Sequence, residues 1–223
     1  MNFEQVFILS YGRSGSTLLQ GLLNSIDGFL IRGENGNFGF YLYRAYNALA
    51  SSPNQEKVSD VTDAWFGIEL VDQSAVLDDM RNLVKNTILS DRINDDSVKC
   101  FGFKEVRYVT IGPKLDAYLD FLSDLFPNAG FLVLSRDLDQ VAKSGWWAKR
   151  DPAWVKEHLG EFEDRINSYA EGRQNYFSLN YNDLIEMTDT LSDMFAFLGV
   201  DFVPEDVHKV LSKPHSYISK ETK

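Results

Sequence analysis

The sequence predicts a single α/β domain with a central, mainly parallel sheet flanked by helices. Two continuous apolar runs, residues 6–9 and 131–134, have the composition of strands buried on both faces, as parallel strands usually are. Between such runs, apolar residues recur with the 3.6-residue period of an amphipathic helix. Strands that alternate with helices indicate an α/β fold.

The other elements follow from the same two patterns. Weaker strand signals lie at residues 29–31, 98–104 and 176–179. Helical stripes of apolar side chains lie at residues 18–26, 115–125 and 191–198. Gly199 is placed to end the last of these helices. Asp137 followed by Gln140 resembles a capping box and predicts a further helix to about Trp147.

The composition fits one domain over residues 1–223 and excludes several classes of function. The chain has 22 Lys and Arg against 33 Asp and Glu, and its formal charge of −11 argues against a nucleic-acid partner. A single cysteine, Cys100, excludes an intramolecular disulfide, and three scattered histidines predict no metal site. No stretch approaches the roughly 20 apolar residues of a membrane span, so we expect a cytoplasmic protein.

The strongest functional signal is the segment 10–19, which reads Ser-Tyr-Gly-Arg-Ser-Gly-Ser-Thr-Leu-Leu. It follows an apolar strand directly and opens an amphipathic helix. A glycine-rich turn in that position aims successive backbone N–H groups and the positive end of the helix at one spot, which favours an anion. Arg13 adds a permanent charge, and Ser14, Ser16 and Thr17 add hydroxyl donors.

The spacing of this loop differs from that of a Walker A loop. Counting from Gly12, a Walker A loop requires glycine at position 17 and lysine at position 18, where this chain has Thr17 and Leu18. The lysine that contacts the terminal phosphates of a magnesium nucleotide is therefore absent. A P-loop-type nucleotide or small-molecule kinase remains an alternative enzyme class. A further alternative is a strand–helix turn that binds no anion and leaves Arg13 solvated.

Residues 12–19 resemble the 5′-phosphosulfate loop of sulfotransferases that use 3′-phosphoadenosine 5′-phosphosulfate (PAPS). The resemblance is greatest to the branch whose loop carries arginine, which includes glycan and tyrosylprotein sulfotransferases and related bacterial enzymes. It implies a P-loop-like loop that binds the 5′ side of this cofactor without a metal. The residues implied are Gly12, Arg13, Ser14, Gly15, Ser16 and Thr17.

Two later segments extend the resemblance to about residues 5–200. In this family a strand ends in an arginine, and a serine eight residues later, on the next helix, shares the cofactor's 3′-phosphate. Arg136 and Ser144 have that spacing. A guanidinium at the carboxyl end of a strand faces the ligand crevice of an open α/β sheet. The alternative without a ligand is an ion pair between Arg136 and Asp139. Tyr181, in Tyr-Asn-Asp-Leu, is similar to a family segment near the adenine.

The same branch implies the catalytic residues. Glu34, which follows a glycine, occupies the segment that carries the branch's catalytic glutamate, and we expect it to act as the general base. Lys104 resembles a Lys-Asp or Lys-Glu pair and is expected to donate to the bridging or sulfuryl oxygen. Arg13 would follow the charge onto the leaving oxygen, with Arg107 as a further candidate. The alternatives are surface ion pairs, of Glu34 with Arg32 and of Lys104 with the neighbouring glutamate.

The acceptor is implied only in outline. The resemblance favours a small molecule or glycan with a hydroxyl group, with an amine as a further option. The net charge favours a neutral or weakly charged acceptor. Residues 35–97 match no known segment and are expected to form a helical insertion on the acceptor side. Aromatic side chains cluster after Glu34 and after Ser144, and we expect each of them either to line the acceptor pocket or to belong to the core. They are Phe38, Phe40, Tyr41, Tyr43, Tyr46, Trp146, Trp147 and Trp154.

The end of the chain, residues 201–223, is expected to form a C-terminal tail. Its lysines, Lys213, Lys220 and Lys223, either cover the 3′-phosphate or belong to a disordered end. One alternative from another class of protein also remains. A catalytically silent module that keeps the nucleotide pocket would show the same binding signals without any transfer.

Overall fold

The central sheet is parallel throughout. The computed structural model describes residues 1–51 and 60–213, and within them five strands form one sheet. The strands are β1 Gln5–Leu9, β2 Phe29–Arg32, β3 Cys100–Glu105, β4 Ala129–Ser135 and β5 Tyr176–Asn180. They lie in the order β2-β3-β1-β4-β5, and every neighbouring pair is parallel. The predicted α/β class and all five predicted strands are confirmed.

Helices cover both faces of the sheet. The described helices are α1 Ser16–Leu23, α2 Phe38–Ala50, α3 Gln73–Leu89, α4 Leu115–Leu125, α5 Leu138–Ala142, α6 Pro152–Ala170, α7 Tyr181–Glu186, α8 Asp189–Leu198 and α9 Pro204–Leu211. Side chains of β1 alternate between two apolar clusters, one on each face of the sheet. Phe7 and Leu9 pack in the cluster that includes α3, α4 and α6. Val6 and Ile8 pack in the cluster that includes α1, α8 and α9. This two-sided burial explains why β1 has no polar alternation.

The helix after Asp137 is shorter than the sequence predicts. The Asp137 carboxylate accepts the Gln140 N–H (2.9 Å), as in a capping box, but α5 ends at Ala142 instead of about Trp147. Gly145 has a φ of 56°, which breaks the helical backbone. Ser144 therefore lies in the turn after α5 and not on the helix.

The segment expected to be a C-terminal tail contains helix α9. Its Val207 and Val210 are buried in the cluster that also contains α1, so this part of the chain packs against the core. Lys213 follows the helix, while Lys220 and Lys223 lie outside the described residues. Across residues 1–51 and 60–213, no helix has both the length and the apolar character that crossing a membrane requires.

Candidate active site

The loops that carry the predicted site residues meet at one edge of the sheet. Because all strands are parallel, the chain segments after them emerge at the same carboxyl edge. The strand β1 lies between β3 and β4, so its loop neighbours the loops of both. An isolated antiparallel bridge between Tyr11 and Arg107 joins the loop after β1 to the loop after β3.

The loop after β1 has a strained backbone. Arg13 adopts a φ of 72°, a conformation that costs free energy for a residue with a side chain and is typical of functional sites. Gly15, the residue before α1, has a φ of 96°. A Cβ atom on Gly15 would lie 2.3 Å from the ring of Tyr181, so this position needs glycine for its backbone and for the close approach of the ring.

Part of this loop lines a cavity of about 540 Å³. The cavity is bounded by Arg13, Gly15, Ser16, Thr17, Leu18, Arg136, Tyr181, Ile185, Leu211 and Lys213. Two predicted loop residues are placed differently. Ser14 is fully buried and its hydroxyl hydrogen-bonds Ser10 Oγ (2.7 Å), while the carbonyl of Gly12 accepts a bond from Trp147 Nε1 (2.9 Å). Both residues shape the loop and do not line the cavity.

The structure brings Arg13, Arg136 and Ser144 together. Arg13 Nε donates to Ser144 Oγ (2.9 Å), and Arg136 Nη1 donates to the carbonyl of Arg13 (3.2 Å). The guanidinium carbon of Arg136 lies 4.1 Å from the centroid of the Tyr181 ring. The alternative ion pair of Arg136 with Asp139 is not formed, because Asp139 instead accepts a bond from Lys156 (2.9 Å). Arg136 is therefore held by neutral groups.

These two arginines are free of carboxylate partners in the described part of the chain. No carboxylate within residues 1–51 and 60–213 forms an ion pair with Arg13 or Arg136. The Nε atom of Arg136 is also buried without a hydrogen-bond partner there. A buried donor without a partner is costly, so Arg136 Nε is a candidate contact for an acceptor group from a ligand or water.

Tyr11, which the sequence analysis did not single out, fixes the backbone of Arg136. Its hydroxyl accepts the Arg136 N–H (2.8 Å) and donates to the Glu163 carboxylate (2.5 Å). Burial, together with this bond, raises the pKa of Tyr11, and burial also raises the pKa of Glu163. Only the approach of α6 to the loop creates this contact, so no local sequence pattern indicates it.

Glu34 and Lys104, predicted separately, form an ion pair with each other. Lys104 Nζ donates to Glu34 Oε1 (2.7 Å), and Arg107 Nη1 donates to Glu34 Oε2 (3.3 Å). The side chain of Lys104 is 7% exposed and that of Glu34 is 36% exposed. The predicted alternative pairs are not formed: Arg32 binds Asp91 (2.7 Å) instead. Glu34, Lys104 and Arg107 therefore form one charged cluster at the carboxyl ends of β2 and β3.

A family model described as "Sulfotransferase family" matches residues 5–204. The chain belongs to this family. No curated protein sequence matches it. Since the match spans the loop after β1, the Glu34 and Lys104 segments and Arg136, the whole candidate site lies within the sulfotransferase region. The chain is therefore a sulfotransferase.

Solved structures of sulfotransferase domains share its fold. A sulfotransferase domain from the Synechococcus PCC 7002 olefin synthase matches with a TM-score of 0.56 and 21% identity, over 96% of this chain and 79% of that one. A sulfotransferase domain from the curacin biosynthetic pathway matches with a TM-score of 0.53 and 16% identity, over 94% and 78% of the two chains. At this identity the likeness shows the fold alone.

The aromatic side chains predicted near the acceptor divide between core and surface. Phe40, Tyr43 and Tyr46 pack against Tyr118 and Phe121 of α4 and belong to the core. Trp147 covers the loop after β1, and the ring of the exposed Trp146 lies against the backbone of Gly12. Trp154 stacks on His158. Phe38 is the member of this group that lines a second cavity, which includes Glu34.

Glu105 joins the two segments of the sulfotransferase that carry Glu34 and Lys104. It is 1% exposed, and its carboxylate accepts the N–H groups of Asn35 (3.2 Å) and Asn37 (2.9 Å) after β2. It also accepts two N–H groups after β3, those of Val106 (2.9 Å) and Arg107 (3.1 Å). Burial raises the pKa of Glu105, but these hydrogen bonds outweigh it and the net pKa is lowered.

The substitution Glu105→Gln is expected to destabilise the sulfotransferase. The amide nitrogen of glutamine would face N–H donors, so we expect a loss of about 1–3 kcal/mol in the free energy of unfolding at pH 7. A carboxyl with a lowered pKa contributes stability above its ordinary value of 4.5 and loses it as the pH falls through the folded value. The free energy of unfolding in urea should therefore differ between the variant and the wild type at pH 7, and this difference should be smaller at roughly pH 3.5.

The matched control for this prediction is Glu171→Gln, at the exposed end of α6. It should unfold like the wild type at both pH values. If the free energy of unfolding of the Glu105 variant were lower than that of the wild type by the same amount at both pH values, the ionised form of this carboxylate would not contribute to stability.

Proposed function

We propose that this sulfotransferase moves the sulfuryl group of PAPS to a hydroxyl group, or an amine, of a neutral or weakly charged acceptor. The observation that carries the proposal is the cavity beside the loop after β1. It contains two arginines without carboxylate partners in the described residues, in a chain whose formal charge is −11. Such local positive charge fits a small, multiply charged anion.

The residues around this cavity fit the two ends of the nucleotide. Gly15, Ser16 and Thr17 at the start of α1, with Arg13, would hold the 5′ side, since a helix N-terminus favours negative charge. Arg136 and Ser144 would hold the 3′-phosphate, and the free Nε of Arg136 supplies a donor for it. Tyr181, whose ring lies beneath this guanidinium, would contact the adenine side.

The proposed reaction assigns a role to Glu34, Lys104 and Arg13. Glu34 takes the proton from the acceptor hydroxyl, and the acceptor oxygen forms a bond to sulfur as the bond from sulfur to the 5′-phosphate oxygen breaks. Lys104 and Arg13 donate to the sulfuryl and leaving oxygens as these gain charge. The products are the sulfated acceptor and 3′,5′-adenosine bisphosphate (PAP). Among the described residues no cluster of His, Cys, Asp and Glu could hold a metal ion.

Calorimetry of PAP binding tests this proposal directly. We expect PAP to bind without Mg²⁺ and more tightly than Mg·ATP. A preference for Mg·ATP would favour a kinase instead. Binding of PAP with no transfer from PAPS to any alcohol or amine would favour a silent nucleotide-binding module.

The substitution Arg136→Ala should separate the two phosphate sites. It removes a charge-assisted contact, so affinity for PAP should fall by about tenfold or more. Affinity for adenosine 5′-monophosphate, which lacks the 3′-phosphate, should hardly change. Arg44→Ala, at an exposed position of α2, is the control and should leave both affinities unchanged. Equal losses for both nucleotides would remove Arg136 from the 3′ site.

A further inference from the structure

A second cavity, of about 340 Å³, lies beside Glu34. It opens at the carboxyl end of β2, and helices α2 and α3 form part of its wall. Since Glu34 belongs to its lining, a molecule held there can place a hydroxyl group next to the proposed base. The volume is at the small end of the range for ligand sites, about 300–1,000 Å³.

The wall of this cavity is largely apolar. Five hydrocarbon side chains line it, namely Phe38, Val84, Ile88, Phe103 and Leu122. Val84, Ile88 and Phe103 are buried members of the core cluster, so the cavity reaches down to the core. Such a wall favours a ligand with a hydrocarbon body, because each buried methylene group contributes to binding.

The charged side chains that line the cavity are already paired. Arg32 binds Asp91 (2.7 Å) and donates to the carbonyl of Ile88 (3.0 Å), while Glu34 is held by Lys104 and Arg107. A charged acceptor would therefore have to displace an existing partner or remain unpaired. A charge placed against the buried Val84, Ile88 and Phe103 would lose its hydration, which disfavours anionic and cationic acceptors alike.

Within the described residues, two of the three uncharged polar side chains of the lining, those of Asn35 and Thr87 but not that of Ser90, also have local partners. Thr87 Oγ1 donates to the carbonyl of Leu83 (2.7 Å), and Asn35 Oδ1 accepts the N–H of Phe38 (3.1 Å). A sugar, with a hydroxyl on almost every carbon, would lose hydrogen bonds to water and find few replacements. The cavity thus disfavours the carbohydrate acceptor that the family resemblance suggests.

We propose that this cavity is the acceptor site and that the acceptor is a small uncharged aliphatic alcohol. The inference rests on the proposed function and deepens it. The hydroxyl lies at Glu34, and the hydrocarbon body lies against Phe38, Val84 and Ile88. Specificity comes from the length of the hydrocarbon body and from the absence of charge.

A matched panel of acceptors tests this proposal, with sulfate transfer from PAPS as the measurement. From ethanol to 1-hexanol, which adds four methylenes, kcat/KM should rise by about 250-fold, since each methylene contributes a factor of about four. Both 6-hydroxyhexanoate, which adds a carboxylate, and glucose should be at least about tenfold poorer than 1-hexanol. A preference for glucose or for the carboxylate would overturn the proposal.

A bulky side chain in the cavity provides the structural test. Thr87→Trp should remove most of the preference for 1-hexanol over ethanol without changing PAP affinity, because Thr87 lines the acceptor cavity and not the nucleotide cavity. Asn86→Trp, at a neighbouring exposed position of α3 that does not line this cavity, should keep the preference. Equal preferences in the two variants would contradict the assignment.

Binding of 1-hexanol to the complex of the protein with PAP separates the two proposals. If PAP binds and 1-hexanol neither binds nor is sulfated, the acceptor assignment is wrong and the proposed function stands. If PAP itself does not bind, the proposed function fails, and the acceptor assignment fails with it.

Discussion

Turnover of the Glu34→Gln variant is expected to fall by at least about 10²-fold. Glutamine keeps the shape of the side chain but cannot take the proton of the acceptor. The cavity proposed for the nucleotide does not include Glu34, so PAP affinity should remain near that of the wild type. Single-turnover transfer from PAPS, with calorimetry of PAP binding, measures the two effects separately.

The control for the base is Glu171→Gln, which removes an exposed carboxylate at the end of α6. Its turnover should equal that of the wild type. Near-normal turnover of the Glu34 variant would place the base elsewhere. A parallel loss of PAP affinity would show that the substitution disturbs the whole site, because the buried Lys104 loses its partner.

Replacing Lys104 by methionine should lower turnover by about 10²–10³-fold, the usual effect of removing one donor that faces developing charge. Methionine preserves the length and the burial of the side chain. PAP carries no sulfuryl group, so its affinity should change little. The expected pattern is therefore a loss of kcat with nearly unchanged nucleotide binding.

The matched control is Lys114→Met, at an exposed position before α4. It should leave both turnover and PAP affinity unchanged. A loss of PAP affinity as large as the loss of turnover in the Lys104 variant would make Lys104 a residue of ground-state binding. It would then have no special role in the transition state.

The fold was predictable because its signals are local. Strands buried on both faces carry continuous apolar runs, as β1 and β4 do, and amphipathic helices carry a 3.6-residue stripe, as α4 and α8 do. The end of α5 was not predictable from the same pattern. Apolar residues continue to Trp147, but the positive φ of Gly145 interrupts the helix, and the stripe alone does not indicate this.

The location of the candidate site residues at one edge of the sheet was predictable from the sequence, but their pairings were not. Glu34, Lys104 and Arg136 stand at strand ends, where local sequence patterns indicate ligand contacts. Their partners depend on which strands are neighbours: β2 lies beside β3, so Glu34 meets Lys104 and not Arg32. The contact of Tyr11 with Glu163 joins residues 152 positions apart and likewise depends on tertiary packing.

The cluster at the ends of β2 and β3 can couple proton uptake to electrostatics. Glu34 and Glu105 carry two negative charges, and Lys104 and Arg107 carry two positive ones, so the four side chains are neutral together (2 − 2 = 0). Once Glu34 holds the acceptor proton, the sum is +1. In the proposed reaction this positive charge arises only as the leaving oxygen becomes negative, so it would stabilise the transition state without strengthening ground-state binding.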